Sequence, residues 1–205
     1  KKAEDLIWKQ ANFDKLTGLP NRHMFYDRLA QETRKAGRAS LTLALLYIDL
    51  DRFKEINDTL GHHMGDILLV ETARRISACV RETSTVAHLG GDEFAVILAD
   101  LDEVSRVDAL TQNILHELVE PFRLESEVVY LSASIGITLY PHDATEMEEL
   151  IKNAEQAMYA AKDAGRNRFS YFTPSMQQAA QARLKLVKDL RSALAAGQFR
   201  VYYQP

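Results

Sequence analysis

Three carboxylates occupy positions where folded chains usually present functional groups. Asp49 closes an almost continuously apolar run, and Asp92 and Glu93 follow the glycine pair Gly90 and Gly91. Carboxylates brought together repel one another unless a cation lies between them. Hard oxygen ligands favour Mg²⁺ or Mn²⁺, and two such ions about 3.5–4 Å apart can activate an attacking hydroxyl and stabilise a displaced pyrophosphate. The spacing therefore favours a two-metal site.

Other interpretations of these residues are either plainer or excluded. Solvated acidic turns would explain each carboxylate taken singly, and a tight turn would explain the glycine pair. A calcium-binding EF-hand loop starting at Asp49 is excluded, because Phe53 and Lys54 stand where an Asp or Asn and a Gly belong. His62 and His63 are adjacent rather than in a zinc-binding frame, and the sequence contains no Walker A pattern.

The composition restricts the partners and the compartment. The chain has 205 residues, 46% of them hydrophobic, and a formal net charge of −4. This suits one domain with appendages and argues against a nucleic-acid surface. An acidic protein that handles an anionic substrate needs local cations, from side chains or bound metals. The single cysteine, Cys79, fits a buried thiol in a reducing compartment. We therefore expect a cytoplasmic fragment, and membrane anchoring of the full-length protein stays open.

Alternating helices and strands position these residues. The strand ending at Asp49 is apolar along its length, as expected for a central strand buried on both faces. The glycine pair forms the tip of a hairpin. Helices are predicted at 22–36, 52–60, 66–81, 104–119, 146–164 and 174–196, and strands at 41–49, 86–89, 94–98, 128–139 and 169–172, with another strand beginning at 199–203. Residues 14–173 therefore form an α/β or α+β domain.

Five motifs resemble those of the GGDEF family of diguanylate cyclases, in the same order. They are LTGLPNR at 16–22, DLDRFKEINDTLGH at 49–62, GD at 65–66, GGDEF at 90–94 and AKDAGRN at 161–167. The resemblance implies a fold similar to adenylyl cyclase catalytic domains, a ferredoxin-like palm whose central, mostly antiparallel sheet is flanked by helices. It also implies that two GTP molecules give cyclic di-GMP and two pyrophosphates. Each domain holds one GTP, and two domains meet face to face as a homodimer.

The resemblance implies a role for each matching position. The implied metal ligands, for two Mg²⁺ or Mn²⁺ ions per site, are Asp49, the Leu50 carbonyl, Asp92 and Glu93. The implied catalytic residues are Glu93, Asp92 and Asp49, with Glu93 helping to deprotonate the 3′-hydroxyl of GTP. The implied GTP-binding residues are Asn57, His62, Asp66, Lys54, Phe53, Gly90, Gly91, Lys162 and Arg166. Within this set, Lys54, Lys162 and Arg166 would neutralise the β- and γ-phosphates. His62 would lie near the ribose or the base.

The two residues implied to read guanine have chemistry that suits the task. The Asp66 carboxylate only accepts hydrogen bonds, which matches the N1–H and N2–H₂ donors of guanine, and the Asn57 amide can donate to O6 or N7. Adenine lacks that donor edge, so a buried Asp66 would be left unpaired. Plainer interpretations stay open for single residues: a turn residue for Asn57, a helix N-cap for Asp66, and favourable helix C-terminal charges for Lys162 and Arg166.

Two positions depart from the family's pattern. Family members under product inhibition resemble Arg-x-x-Asp, with the Asp six residues before the hairpin glycines. Here Arg81 is present but Ser84 replaces the Asp, and Ser cannot supply an anionic partner. We therefore expect weak or absent product inhibition at this degenerate site. His88 stands where the family usually has Arg, and we expect it to tune rather than abolish activity.

The segments outside the central domain indicate a larger protein. Residues 1–13 carry apolar side chains at helical spacing, as in a helix that transmits a signal from an upstream sensor domain. Residues 174–205 resemble a linker helix and the first strand of an EAL phosphodiesterase domain, as in a truncated GGDEF–EAL tandem. Two other functions stay open: a catalytically silent, GTP-binding regulator of the EAL neighbour, and a dimerisation module formed by the terminal helices.

Overall fold

The computed structural model describes residues 2–101, 105–125 and 127–202. The chain divides into two units, Lys1–Phe172 and Thr173–Pro205, and each is described by itself. The first unit contains helices α1 (Lys2–Asn12), α2 (Arg22–Ala39), α3 (Phe53–Leu60), α4 (His62–Cys79), α5 (Ser105–Val119) and α6 (Met147–Asp163). Its strands are β1 (Thr42–Asp51), β2 (Thr85–Gly90), β3 (Glu93–Leu101), β4 (Phe122–Leu124), β5 (Glu127–Val129), β6 (Ser132–Tyr140) and β7 (Arg168–Tyr171).

A five-stranded sheet forms the centre of the first unit, in the order β2-β3-β1-β6-β7. Strands β2, β3, β1 and β6 pair antiparallel, and β7 pairs parallel with β6. The fold class expected from the sequence, a mostly antiparallel sheet flanked by helices, is confirmed. The predicted central strand is also confirmed, because β1 lies in the middle of the sheet with nearly every side chain buried.

Both faces of β1 are covered by helices. On one face, Leu45 and Tyr47 pack with apolar side chains of α2 and α6. On the other face, Leu46 and Ile48 join a cluster that includes side chains of α4 and α5. Helix α6 lies unusually close to β6, because a Cβ at Gly136 would overlap the α6 backbone. This close packing fixes the position of the last turn of α6 relative to the end of β1.

Three element predictions need correction. The strand predicted at 128–139 is interrupted, since β5 ends before β6 begins and pairs instead with the unpredicted strand β4. The helix predicted from Asp66 begins four residues earlier, at His62, because a single residue, Gly61 with φ 87°, is enough to separate α3 from α4. The strand predicted to begin at 199–203 is absent from residues 199–202, and residue 203 lies outside the described residues.

The second unit consists of helix α7 (Pro174–Ala195) followed by residues without regular secondary structure. Pro174 stands in the first turn, where its missing N–H costs nothing. Leu186, Leu190 and Leu194 are exposed at four-residue spacing along the helix. In the part of the chain that the structure describes, none of the helices is long and apolar enough to cross a membrane.

Candidate active site

Asp49 lies near the end of β1 with a cation beside it. The residue is 7% exposed, and its Oδ1 is 2.7 Å from Lys162 Nζ. Burial raises the pKa of Asp49 to about 6; the hydrogen bond from Lys162 opposes this shift, and the negative charges of Asp92 and Asp51 add to it. The carboxylate therefore stands in a place where further positive charge would be favourable.

The hairpin between β2 and β3 brings the other two acids to this place. The two glycines at its tip have φ of 118° and 60°, values that residues with a side chain rarely adopt. Glu93 follows them and pairs directly with Asp49 in the β1–β3 ladder. The Leu50 N–H donates to the Asp92 carbonyl oxygen at 3.1 Å. The four positions expected to ligate metal therefore lie on adjoining stretches of backbone.

The Glu93 side chain is held by residues to which the sequence had assigned no role. Arg22 Nη2 lies 3.1 Å from Glu93 Oε2, and Arg22 Nε donates to the Leu89 carbonyl oxygen at 3.1 Å. The buried Tyr47 hydroxyl also hydrogen-bonds to Glu93; burial, and then the negative charges of Glu93 and Glu155, raise the pKa of Tyr47. The sequence feature that could have identified Arg22 as a site residue is its position at the end of the LTGLPNR motif.

The oxygen donors near the end of β1 suit a divalent cation. Within residues 2–101, 105–125 and 127–202, no group of three or more His, Cys, Asp or Glu side chains is arranged to hold a metal ion. In this structure Glu93 instead pairs with Arg22, and Asp49 pairs with Lys162. Mg²⁺ typically takes one or two carboxylates and completes its shell with water and substrate phosphates. The oxygen donors at this end of β1 match that requirement.

Helices α3 and α4 carry the residues expected to read guanine. The Asn57 Oδ1 atom is buried and has no hydrogen-bond partner, which is costly unless a ligand supplies a donor. It lies over Gly65, where a Cβ would overlap it. Asp66 is exposed and falls within α4, whose N-cap is Gly61, so the N-cap interpretation of Asp66 is wrong. His62 is exposed at the first position of the same helix.

The basic residues expected to meet phosphates have different surroundings. Lys54 is exposed in the first turn of α3, whereas the neighbouring Phe53 is 7% exposed and packs in the core. Any contact of Phe53 with a nucleotide therefore falls to its backbone. Lys162 lies in the last turn of α6, and Arg166 is exposed in the turn that follows. The favourable C-terminal charge interpretation holds for Lys162, although its ammonium is also paired with Asp49.

His88 connects the hairpin tip to the N-terminal turn. The residue is 6% exposed, its ring stacks on Phe94, and its Nδ1 lies 3.0 Å from Asp14 Oδ2. Its Nε2 lies 3.0 Å from the Gly91 carbonyl oxygen. Burial would raise the pKa of Asp14, but hydrogen bonds from Thr17 and His88 lower it. His88 therefore links the N-terminal turn to the hairpin tip through its two ring nitrogens.

The degenerate site at Arg81 and Ser84 is a simple turn. The Ser84 N–H donates to the Arg81 carbonyl oxygen at 2.9 Å, and Arg81 is exposed. Both residues line a hollow of about 400 Å³. The site therefore has the positively charged Arg81 side chain, but Ser84 provides a hydroxyl where a carboxylate is expected.

The family model described as diguanylate cyclase, GGDEF domain, matches residues 11–168. The chain belongs to the GGDEF family.

Similar proteins come from Pseudomonas aeruginosa. The bifunctional diguanylate cyclase/cyclic di-GMP phosphodiesterase MucR is 46% identical over 192 residues, covering 94% of this chain and 28% of MucR. The cyclic di-GMP phosphodiesterase NbdA is 38% identical over 203 residues, covering 99% of this chain and 26% of NbdA. The solved GGDEF domain of TpbB superposes with a TM-score of 0.80 at 43% identity, covering 82% of this chain and 99% of that chain. The chain thus spans about a quarter of MucR and of NbdA.

Proposed function

We propose that the chain is a diguanylate cyclase that condenses two GTP molecules into cyclic di-GMP and two pyrophosphates. The observation that carries this proposal is the pairing of Asp49 with Glu93 across β1 and β3, beside the Lys162 ammonium. This arrangement places a general base, oxygen ligands for a cation and a positive charge for phosphates at one end of the sheet. Diguanylate cyclase TpbB, 47% identical over 154 residues, gives independent support.

In the proposed reaction, the 3′-oxygen of one GTP forms a bond to the α-phosphorus of the other. The bond between that phosphorus and the oxygen that bridges the α- and β-phosphates breaks, and pyrophosphate leaves. The 3′-hydroxyl proton passes to the Glu93 carboxylate, which Arg22 holds in place. Asp49, Asp92, Glu93 and the Leu50 carbonyl would hold two Mg²⁺ or Mn²⁺ ions, which supply charge neutralisation at the attacking oxygen and the leaving pyrophosphate. A second, equivalent transfer closes the ring.

Recognition of the nucleotide would fall to residues of α3 and α4 and to residues at the end of α6 and just beyond it. The Asn57 amide, whose buried Oδ1 atom has no hydrogen-bond partner, and the exposed Asp66 carboxylate would bind the guanine edge. Lys54, Lys162 and Arg166 would neutralise the β- and γ-phosphates. The bonds of Lys162 to a phosphate and to Asp49 would share one ammonium group, which has three donor hydrogens.

The active unit would be a homodimer of two domains that face each other. Each domain binds one GTP, and each 3′-hydroxyl needs the α-phosphate held by the other domain. Activity would then rise more steeply than linearly with protein concentration.

Control of the cyclase would come from outside the central domain. The GGDEF–EAL tandem remains our proposal, with residues 1–13 as a signalling helix below a sensor domain and residues 174–205 as a linker into the EAL domain. A bifunctional relative, MucR, supports this arrangement. Ser84 in place of a carboxylate supports weak product inhibition at the Arg81 site.

A second candidate function is a catalytically silent, GTP-binding domain that regulates an EAL phosphodiesterase. It is supported by the name of NbdA, a cyclic di-GMP phosphodiesterase that this chain matches along 99% of its length. The retained Asp49, Asp92 and Glu93 favour the active cyclase, because a silent domain has no need of all three.

Incubation of the chain with GTP and Mg²⁺ over a range of protein concentrations separates the two functions. An active cyclase gives cyclic di-GMP at a rate that rises more than linearly with protein concentration. GTP binding with no product at the highest concentration would favour the silent regulator, and a strictly linear rate would contradict the shared site. Absence of GTP binding would contradict both functions.

A further inference from the structure

We propose that Asp51 is a positioning residue, which holds the turn after α6 so that Arg166 can meet the phosphates of the nucleotide. The role of Arg166 in this inference rests on the proposed function. Asp51 stands two residues after Asp49 on the same face of β1, and the Asp-x-Asp spacing alone would make it a candidate metal ligand. Its contacts assign it a different task.

The Asp51 carboxylate is fully engaged with donors from the protein. The residue is 5% exposed, and its Oδ1 accepts a hydrogen bond from Ser134 Oγ at 2.7 Å. Its Oδ2 accepts hydrogen bonds from Ser132 Oγ at 2.6 Å and from the Asn167 N–H at 3.1 Å. A buried carboxylate needs such donors to offset the loss of water. The same donors occupy the oxygens that a metal ion would otherwise bind.

The turn that Asp51 contacts has an uncommon backbone conformation. Gly165, Arg166 and Asn167 have φ of 118°, 64° and 46°, three left-handed residues in succession. Arg166 and Asn167 carry side chains, for which this region is sparsely populated, so surrounding contacts must hold them there. The hydrogen bond from Asn167 to Asp51 is a contact of this kind, because it ties the turn to a central strand 116 residues away.

Two carboxylates of β1 thus bind the two ends of the segment 162–167. Asp49 pairs with Lys162 at the end of α6, and Asp51 binds the backbone of Asn167 five residues later. Arg166 lies between these two anchors. The fold therefore places the two cations expected to meet phosphates by means of two carboxylates that have different partners.

A double-mutant cycle tests whether Asp51 acts through Arg166. GTP affinity in the presence of Mg²⁺ would be measured calorimetrically for Asp51→Ala, Arg166→Ala and the double variant. We expect Asp51→Ala to weaken GTP binding by about tenfold. In the Arg166→Ala background the same substitution should change affinity less than about twofold, because coupled residues give non-additive losses. Equal losses in both backgrounds, or no loss from Asp51→Ala, would overturn the proposal.

Two further variants separate positioning from general stability. Asp51→Asn should bind GTP within about threefold of the unmodified chain, since Oδ1 of the new amide can accept from Asn167 and its NH₂ group can donate to Ser134. Asp27→Ala removes an exposed carboxylate from α2 and serves as the matched control, with unchanged affinity expected. If Asp51→Ala fails to fold, Asp51→Ser takes its place in the cycle with the same expectations, because it also removes the carboxylate oxygen that accepts from the Asn167 N–H.

Hydrogen exchange of the Asn167 amide gives a readout that does not depend on GTP. Protection of this amide should be lost in Asp51→Ala and kept in Asp51→Asn and Asp27→Ala. Protection that survives in Asp51→Ala would overturn the anchoring role. If the unmodified chain does not bind GTP, the proposed function fails, and the amide protection alone then decides whether Asp51 holds the turn.

Discussion

Replacement of Gly65 by alanine is expected to weaken guanine recognition without unfolding the protein. Gly65 is buried in α4, and a Cβ there would overlap the Asn57 Oδ1 atom and lie 2.9 Å from Asn57 Cγ. It would also lie 3.2 Å from Phe53 Cζ, which is tight but adjustable. The Asn57 amide must therefore turn away from its present position.

The substitution should affect GTP binding strongly and stability little. Alanine favours a helix interior over glycine by about 1 kcal/mol, which offsets the repacking around Phe53. An amide that pairs with a base edge contributes about 1–3 kcal/mol of recognition. Loss of the Asn57 contact should therefore weaken GTP binding by about 10- to 100-fold while the thermal unfolding midpoint stays within a few degrees.

Calorimetric titration with GTP and with ATP, in parallel with thermal unfolding, measures both effects. The Asn57→Ala variant should lose the same affinity for GTP, and adding Gly65→Ala to it should cost nothing further. Val70→Ala, at an exposed position of the same helix, is the control and should leave GTP binding unchanged. GTP affinity that survives in Gly65→Ala would refute the placement of guanine at Asn57, and so would an equal loss for ATP.

Three other predictions concern the scaffold. Gly136→Ala should lower the free energy of unfolding, measured by chemical denaturation, by about 3 kcal/mol, because its Cβ would overlap the Ala154 carbonyl oxygen. A loss of less than about 1 kcal/mol would contradict the close packing of α6 against β6. Arg75→Met should lower the unfolding free energy by about 3 kcal/mol, since Arg75 donates to three carbonyl oxygens at the end of α5 and just beyond it; an unchanged midpoint would contradict this. The hydrogen bond from Arg74 lowers the pKa of Glu71 to about 2, against the effect of burial. The ordinary pKa of a glutamate is 4.5, so the contribution of Glu71 to folding stability is fully present above that pH and is lost as the pH falls toward 2. Glu71→Gln should remove roughly 1 kcal/mol of this pH dependence, and an unaltered acid unfolding curve would contradict it.

The sequence predicted the parts of the site that depend on local patterns. The apolar run before Asp49 identified a central strand, and the glycine pair identified the hairpin tip that carries Asp92 and Glu93. The interrupted strand at 128–139 was missed, because a continuous apolar pattern does not show where a strand leaves one sheet and pairs in another.

The sequence did not reveal the residues that act across long separations. Arg22 reaches Glu93 over 71 residues, and Asp51 reaches Asn167 over 116 residues. These pairings follow from the order of strands in the sheet, which single-chain periodicity does not contain. Gly65 was predicted only as part of a motif, and its role became visible when the structure placed Asn57 over it.

Quantification of both products from GTP and Mg²⁺ is the most direct test of the proposed cyclase activity. The account predicts two pyrophosphates for each cyclic di-GMP, and a loss of both products in Glu93→Gln, which keeps the size of the side chain but removes the base. GTP consumption without cyclic di-GMP, or a Glu93→Gln variant with unchanged rate, would contradict the account.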